Sequence, residues 1–288
     1  MGYGRVIRYT TMPARTQAVL DAEPFHRFEF PDGAVWTDFY RVGLDYLLRF
    51  PGLADFEVSG DGTEVNAFPA KTTDEVTVEH LYINQVMPLA LSRQGRPSFH
   101  ASVVTVPGGA VAFLGKTGTG KSTLAASFAL EDAKFLTDDS LLIEETEDGC
   151  LALPSHASLR LWADSVDALV DSSTRQAPAI SYSEKARLLA GEALAHQEEP
   201  LRLLAAFLLE RESTREVAIR TLEGAERQMA WVENSFLLDI EDQLLLARHF
   251  DWTHRIAEAV PTFALDYSRD YGMLPDVRDA VRKHVATL

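Results

Sequence analysis

This 288-residue chain has a single cysteine, Cys150, so no disulfide can close within it and no cysteine-based zinc site can be built. A reducing, cytoplasmic setting is the expectation. Basic residues are scarce: 27 Lys and Arg stand against 43 Asp and Glu, a formal charge of −16. That balance argues against a nucleic-acid partner, because phosphate contacts need a basic face. An acidic surface otherwise serves solubility, and it favours a basic peptide over an acidic one. No apolar run approaches the roughly 18–20 residues of a membrane span, so no membrane partner is expected. The opening Met1-Gly-Tyr-Gly-Arg-Val-Ile-Arg8 lacks the apolar core of a secretory signal. Internal repeats, low-complexity tracts and the Asn-Lys-x-Asp motif of guanine switches are missing too.

Against these absences stands one glycine-rich stretch, Gly115-Lys116-Thr117-Gly118-Thr119-Gly120-Lys121-Ser122, followed by Thr123. It meets every specified position of the phosphate-loop pattern G-x-x-x-x-G-K-[ST]. Gly115, Gly118 and Gly120 permit backbone angles that aim N–H groups into a nest around phosphate oxygens. Lys121 would reach the β- and γ-phosphates, and the Ser122 hydroxyl would sit on Mg²⁺. The context fits: Ala110–Leu114 reads as a buried strand, and Thr123–Leu130 is free of Gly and Pro and reads as a helix. The expectation is a nucleoside triphosphate site, with ATP and Mg²⁺ as cofactors.

Residues 1–70 mix aromatic and β-branched residues with turns at Pro31-Asp-Gly33, Pro51-Gly52 and Gly60-Asp-Gly62, which predicts a small strand-rich layer. Val78, Leu81, Tyr82, Val86 and Leu89 recur at helical spacing over 76–92. Ala101–Val106 and Ala110–Leu114 read as a hairpin feeding the glycine loop. Residues 171–183, rich in Ser, Thr, Ala and Pro, read as a mobile loop. Beyond Ser183 the chain reads as mostly helical, with runs near 201–211, 235–250 and 275–286.

Asp138 and Asp139 close the strand that begins at Phe135, where a carboxylate facing the γ-phosphate would lie. One could contact Mg²⁺ while the other accepts a proton from an attacking hydroxyl. His100, fifteen residues before Gly115, reads on its own as a structural strand residue. Arg160 reads equally as a cation for transition-state charge and as a surface arginine. Arg269, in Leu265-Asp-Tyr-Ser-Arg-Asp-Tyr271, is a further cation that could reach the site.

Taken in order, His100-Ala-Ser, Gly115–Ser122 and Thr137-Asp-Asp139 resemble the catalytic core of the HPr kinase/phosphorylase family, a phosphate-loop fold related to phosphoenolpyruvate carboxykinases. The resemblance implies an α/β fold, with a strand-rich N-terminal layer (1–75) and a catalytic domain with a helical C-terminal region (76–288). It implies Asp138 as general base on a substrate serine, Asp139 near the metal with Ser122, and a catalytic His100. The wider pattern around Asn84–Leu91 and Ser155–Arg160 is similar to stand-alone HPr-kinase-like proteins. Some of these are lasso-peptide kinases that phosphorylate a serine near the precursor's C-terminus. Thr123 stands where the family carries Glu, and the Glu-x-Arg-Gly-type signature of the bifunctional enzymes is missing. Those departures weigh against phosphorylase activity and against HPr as substrate.

The expected function is therefore an ATP- and Mg²⁺-dependent serine kinase acting on a peptide or protein, with self-association as a further expectation. A nucleotide-controlled binding module and a phosphotransferase acting on a small molecule are the alternatives.

Overall fold

A computed structural model of the chain describes residues 6–30, 32–96, 98–171, 174, 176–177, 180, 184–210 and 216–288. Contacts divide it into two units. One comprises Met1–Pro97, Ile180–Ser183 and Leu237–Leu246; the other comprises Ser98–Ala179, Glu184–Phe236 and Ala247–Leu288. Most of the loop expected at 171–183 lies outside the described residues.

In the first unit, β1 (Arg8–Thr11), β2 (His26–Glu29), β3 (Val35–Val42), β4 (Asp45–Phe50), β5 (Ala54–Val58) and β6 (Glu64–Pro69) form a sheet in the order β1-β6-β5-β4-β3-β2. Strands β2 to β6 pair antiparallel, and β1 joins β6 in parallel. Period-two alternation sets its core: Tyr46, Leu48 and Phe50 lie opposite Val58, Phe56 and Ala54, all buried. The helical stretch follows as α1 (Glu75–Leu81), a π turn (Tyr82–Val86) and α2 (Met87–Arg93). Asp74 caps α1 by accepting from the Thr77 N–H at 2.7 Å. Pro88 has no N–H to give the preceding turn, and the chain widens into the π turn just before it. The end of α2 is bound to the β5–β6 turn, with Arg93 Nε donating to the Gly60 carbonyl at 2.9 Å and Gln94 Nε2 to that of Gly62 at 2.8 Å. These bonds help to group α1 and α2 with the N-terminal sheet, whereas the sequence expectation assigned residues 76–97 to the catalytic domain.

The chain continues with β7 (Ser98–Phe99), β8 (Ala101–Val106), β9 (Gly109–Leu114), α3 (Lys121–Ala129), β10 (Phe135–Thr137), β11 (Leu141–Thr146), β12 (Gly149–Leu153) and β13 (Ser158–Leu161). Then come α4 (Ala163–Leu169), β14 (Ala186–Leu189), β15 (Leu201–Leu209), β16 (Ala218–Thr221), α5 (Gly224–Val232), α6 (Gln243–Ala259), β17 (Thr262–Asp266) and α7 (Leu274–Val285). The main sheet runs β10-β8-β9-β15-β12-β11-β7, with β17 parallel to β15 and β16 antiparallel to β17. Strands β13 and β14 form a separate two-stranded ribbon.

Both faces of this sheet are covered. Val111 and Phe113 of β9 and Phe207 of β15 pack with Leu124 and Phe128 of α3 and with Val277 and Val281 of α7. Their neighbours Ala112, Leu114 and Ala206 point the other way, toward Trp231 of α5 and Ile256 of α6. Each fully buried Phe or Leu contributes about 1.5–3 kcal/mol relative to exposure. The unit is a mixed α/β layer structure whose central strand β9 runs straight into the glycine loop. No helix among the described residues is long and apolar enough to cross a membrane.

One helical expectation fails. In the run expected at 201–211, Leu201–Leu209 forms strand β15, not a helix. Leu and Ala favour helices, and an unbroken apolar run suits a buried strand equally well. Parallel pairing with β9 on one side and β17 on the other decides the matter, since such a strand is buried on both faces. The run expected at 235–250 becomes helical only from Gln243, and 275–286 corresponds to α7. The C-terminal part is thus α/β rather than helical.

Candidate functional site

Strand β9 ends at Leu114 and α3 begins at Lys121, so the glycine loop joins a central strand to a helix N-terminus. Gly115 carries φ +140°, and a Cβ there would meet Thr119 Oγ1 at 2.9 Å, closer than packing allows. Gly120 takes left-handed backbone at φ +90° as the N-cap of α3 and supplies no side-chain acceptor. First-turn N–H groups of such a helix are left for an anion. The Lys121 amine is buried and donates to the Gly115 carbonyl at 2.6 Å and to the Lys116 carbonyl at 3.0 Å. Burial lowers its pKa to about 8, against the pull of Asp139 and Asp138. A buried ammonium folded on its own loop, beside uncapped N–H groups, is a fit for polyphosphate.

Strand β10 ends at Thr137, and Asp139 has φ +69°, the only positive φ outside glycine among the described residues. This left-handed turn, locked by Thr137 Oγ1 donating to the Ser140 carbonyl at 2.7 Å, lets consecutive carboxylates face one site. Asp138 Oδ1 accepts from Ser122 Oγ at 2.9 Å and from Ser102 Oγ at 2.6 Å, while Oδ2 accepts from the Arg160 N–H at 3.0 Å. Asp139 Oδ2 accepts from Arg160 Nε at 2.8 Å, and its Oδ1 lies 3.3 Å from His100 Nε2.

The two carboxylates titrate in opposite directions. Burial, then the adjacent Asp139 charge, raises Asp138 above the ordinary carboxylate value. At Asp139 the same burial is outweighed by the Arg160 and His100 interactions, which hold it well below that value. Asp139 thus favours its anion, and Asp138 holds a proton more readily than an ordinary carboxylate.

Asn234, at the end of α5, ties two parts of the site together. Its Oδ1 accepts from the Gly115 N–H at 2.9 Å, its carbonyl accepts from the His100 N–H at 2.6 Å, and its Nδ2 donates to the Ala230 carbonyl at 2.8 Å. Tyr267 OH and Arg269 Nη1 each lie 3.8 Å from where a Gly120 Cβ would stand. Arg269 stacks on the Tyr267 ring at 4.4 Å, and its Nη1 is buried with no hydrogen-bond partner among the described residues.

The expected residues thus converge: Lys121, Ser122, Asp138, Asp139, Arg160 and His100 meet at one place, and Arg269 adjoins the loop. Thr123 turns aside to Ser165 Oγ at 3.0 Å. The serine hydroxyl expected on Mg²⁺, that of Ser122, bonds Asp138 rather than Asp139. Among the described residues no group of three or more His, Cys, Asp or Glu side chains is placed to hold a metal. Ser102 was legible in principle, since alternation from His100 places it on the same strand face. Asn234, 119 residues from its loop partner, gave no signal.

No family model matches the chain, and no curated protein matches it. Among solved structures it is similar to the Hpr(Ser) kinase/phosphatase from Coxiella burnetii, at 12% identity and a TM-score of 0.29, covering 56% of this chain and 97% of that one.

Proposed function

We propose that this protein transfers the γ-phosphoryl group of ATP to a serine hydroxyl of a peptide or protein. The observation that carries the reading is the pair Asp138–Asp139, adjacent and buried yet shifted in opposite directions from the ordinary carboxylate pKa, with Asp138 hydrogen-bonded to the hydroxyl of Ser122 on a glycine loop. Titratable neighbours whose environments separate their pKa values mark acid–base roles. A module that only reports bound nucleotide would tolerate loss of the Asp138 carboxylate, whereas a kinase would not.

In this reading the loop amides, Lys121 and Arg269 hold the phosphates in place. Ser122 and Asp139 would hold Mg²⁺, which would supply charge neutralisation at the phosphates when bound. Asp138 accepts the proton of the acceptor hydroxyl as its oxygen bonds to the γ-phosphorus. The bond from that phosphorus to the β-phosphate oxygen breaks, and ADP leaves. Arg160, anchored on Asp139, stands by for charge on the transferring group, and His100 steadies Asp139. Catalysis of this kind is positioning plus electrostatics. The acceptor class to which the sequence resemblance points is a ribosomal precursor peptide of the lasso type.

The test is intact-mass spectrometry of serine peptides incubated with protein, ATP and Mg²⁺. One added phosphate, absent with Asp138→Asn, is the expected result. Confirmed ATP binding without any phosphorylated product would discard the kinase reading.

A further inference from the structure

The ribbon β13–β14 is two-sided. Its register pairs Arg160 with Arg187 and Leu161 with Ala186. Leu159, Leu161 and Leu188 are buried in the core, so alternation turns Ser158 and Arg160 with Arg187 to the opposite side. Two contacts confirm that side: Arg160 reaches Asp139, and Arg187 Nε donates to Ser158 Oγ at 3.3 Å. Continuing the ladder by one step sets Trp162 across from Lys185, whose amine lies 5.4 Å over the indole ring. Lys185 also acts electrostatically on both Asp139 and Lys121, so this face adjoins the glycine loop and the acidic pair.

Arg160, Lys185 and Arg187 thus share one face, and neither strand of the ribbon, Ser158–Leu161 or Ala186–Leu189, contains an acidic residue. In a chain of formal charge −16 this is a local reversal. The nucleotide does not account for it. Phosphates already have the loop amides, Lys121 and Arg269, and Arg160 is engaged by Asp139. Lys185 directly precedes β14 and Arg187 lies within it, two residues apart, about 6.5 Å in extended backbone, the spacing of alternate side chains on an extended peptide.

We infer that the Trp162–Lys185–Arg187 side of this ribbon binds the acceptor peptide, and that the acceptor carries carboxylates flanking its serine. The inference rests on the kinase reading for the word acceptor; the preference for an acidic peptide stands on the ribbon alone. It reverses the preference for a basic peptide that total charge suggests, because screening confines distant charges to about 8–10 Å while the ribbon lies at the site.

The experiment uses two fluorescein-labelled peptides of equal length, one with Asp and Glu around a central Ser and one with Asn and Gln instead. Anisotropy is read on the full chain at low and high salt, and MgATP affinity is measured separately by calorimetry. The acidic peptide should bind about tenfold more tightly at low salt, with the margin shrinking as salt rises. Lys185→Gln with Arg187→Gln should erase that margin and leave MgATP affinity unchanged, while Glu184→Gln should preserve it. Should the double variant unfold, Lys185→Gln alone should halve the margin or more. Equal binding of the two peptides, or binding of neither, overturns the inference. Loss of MgATP affinity in Lys185→Gln also overturns it, by assigning the face to the nucleotide. Preference for the acidic peptide without ATP binding or transfer would sink the kinase reading and leave the ribbon's specificity intact.

Discussion

The two sides of the candidate site are built in opposite ways. The glycine-loop side is one contiguous segment, residues 115–123, whose glycines, lysine and hydroxyls each act from their own place in the chain. The facing side is gathered from the bend before β8 and β8 itself, the end of β10, β13 and the turn after α5, which contribute His100 and Ser102, Asp138 and Asp139, Arg160, and Asn234. In the proposed reading the loop side holds an anion, and the gathered side sets protonation and orientation. Binding and chemistry should therefore separate under mutation.

Lys121→Ala carries the largest expected effect. It removes a buried ammonium from the phosphate nest, and both MgATP binding by calorimetry and phosphoryl transfer should disappear together. Retained transfer at saturating ATP would show that the loop side does not hold the triphosphate.

The asparagine variants of the acidic pair come next and sharpen the division. Asp138→Asn should leave MgATP affinity nearly intact and cut the transfer rate by roughly 10²–10⁴, the contribution of a positioned general base. Asp139→Asn instead leaves the Arg160 guanidinium without its charge partner, so thermal stability should fall as well as rate. Because Ser122 bonds Asp138, the Mg²⁺ concentration giving half-maximal rate is the discriminating readout. A rise confined to Asp139→Asn supports its metal role, and a rise confined to Asp138→Asn transfers that role to Asp138 and ends its assignment as base.

Legibility in the sequence followed the same division. The contiguous half could be read directly, because glycine, lysine and serine at fixed spacing carry their geometry with them. The acidic pair was legible as a pair, yet its arrangement was not: the left-handed Asp139 and the partners of each oxygen depend on β13 and β8. Asn234 gave no sign, since an asparagine after a helix has many uses and only the folded chain brings it to Gly115. Strand β15 was misread for a related reason. Its Leu- and Ala-rich run is strand only because β9 and β17 flank it, and no local signal encodes those neighbours. What pairing across the sheet decides, local pattern does not reveal.

Asn234→Ala probes the tie between the two halves. It deletes the acceptor of the buried Gly115 N–H and leaves that donor unsatisfied, at a cost of about 1–3 kcal/mol. Lower stability in denaturant titration should accompany a fall in ATP affinity of about fivefold or more, since the loop's first residue loses its anchor. Asn234→Asp, which keeps an acceptor oxygen in place, should recover part of the affinity. Equal losses in both variants would mean that Asn234 acts only as packing.

The effect that alters no residue is the dependence of nucleotide affinity on pH, and its sign follows from Lys121. An ordinary lysine stays charged to about pH 10.4, whereas burial brings this one to about 8. The ammonium is the form that binds phosphate, so a bound anion raises its pKa and affinity is complete below 8. Above 8 the free protein must take up a proton to bind, and affinity falls with each further unit of pH. Between pH 7 and 9 the loss should be roughly tenfold in wild type. Lys121→Arg keeps its charge throughout this range and should show a flat profile, whatever its absolute affinity. A flat wild-type profile would mean that the amine is not desolvated before the nucleotide arrives, and that the loop side, like the facing side, is completed only by its ligand.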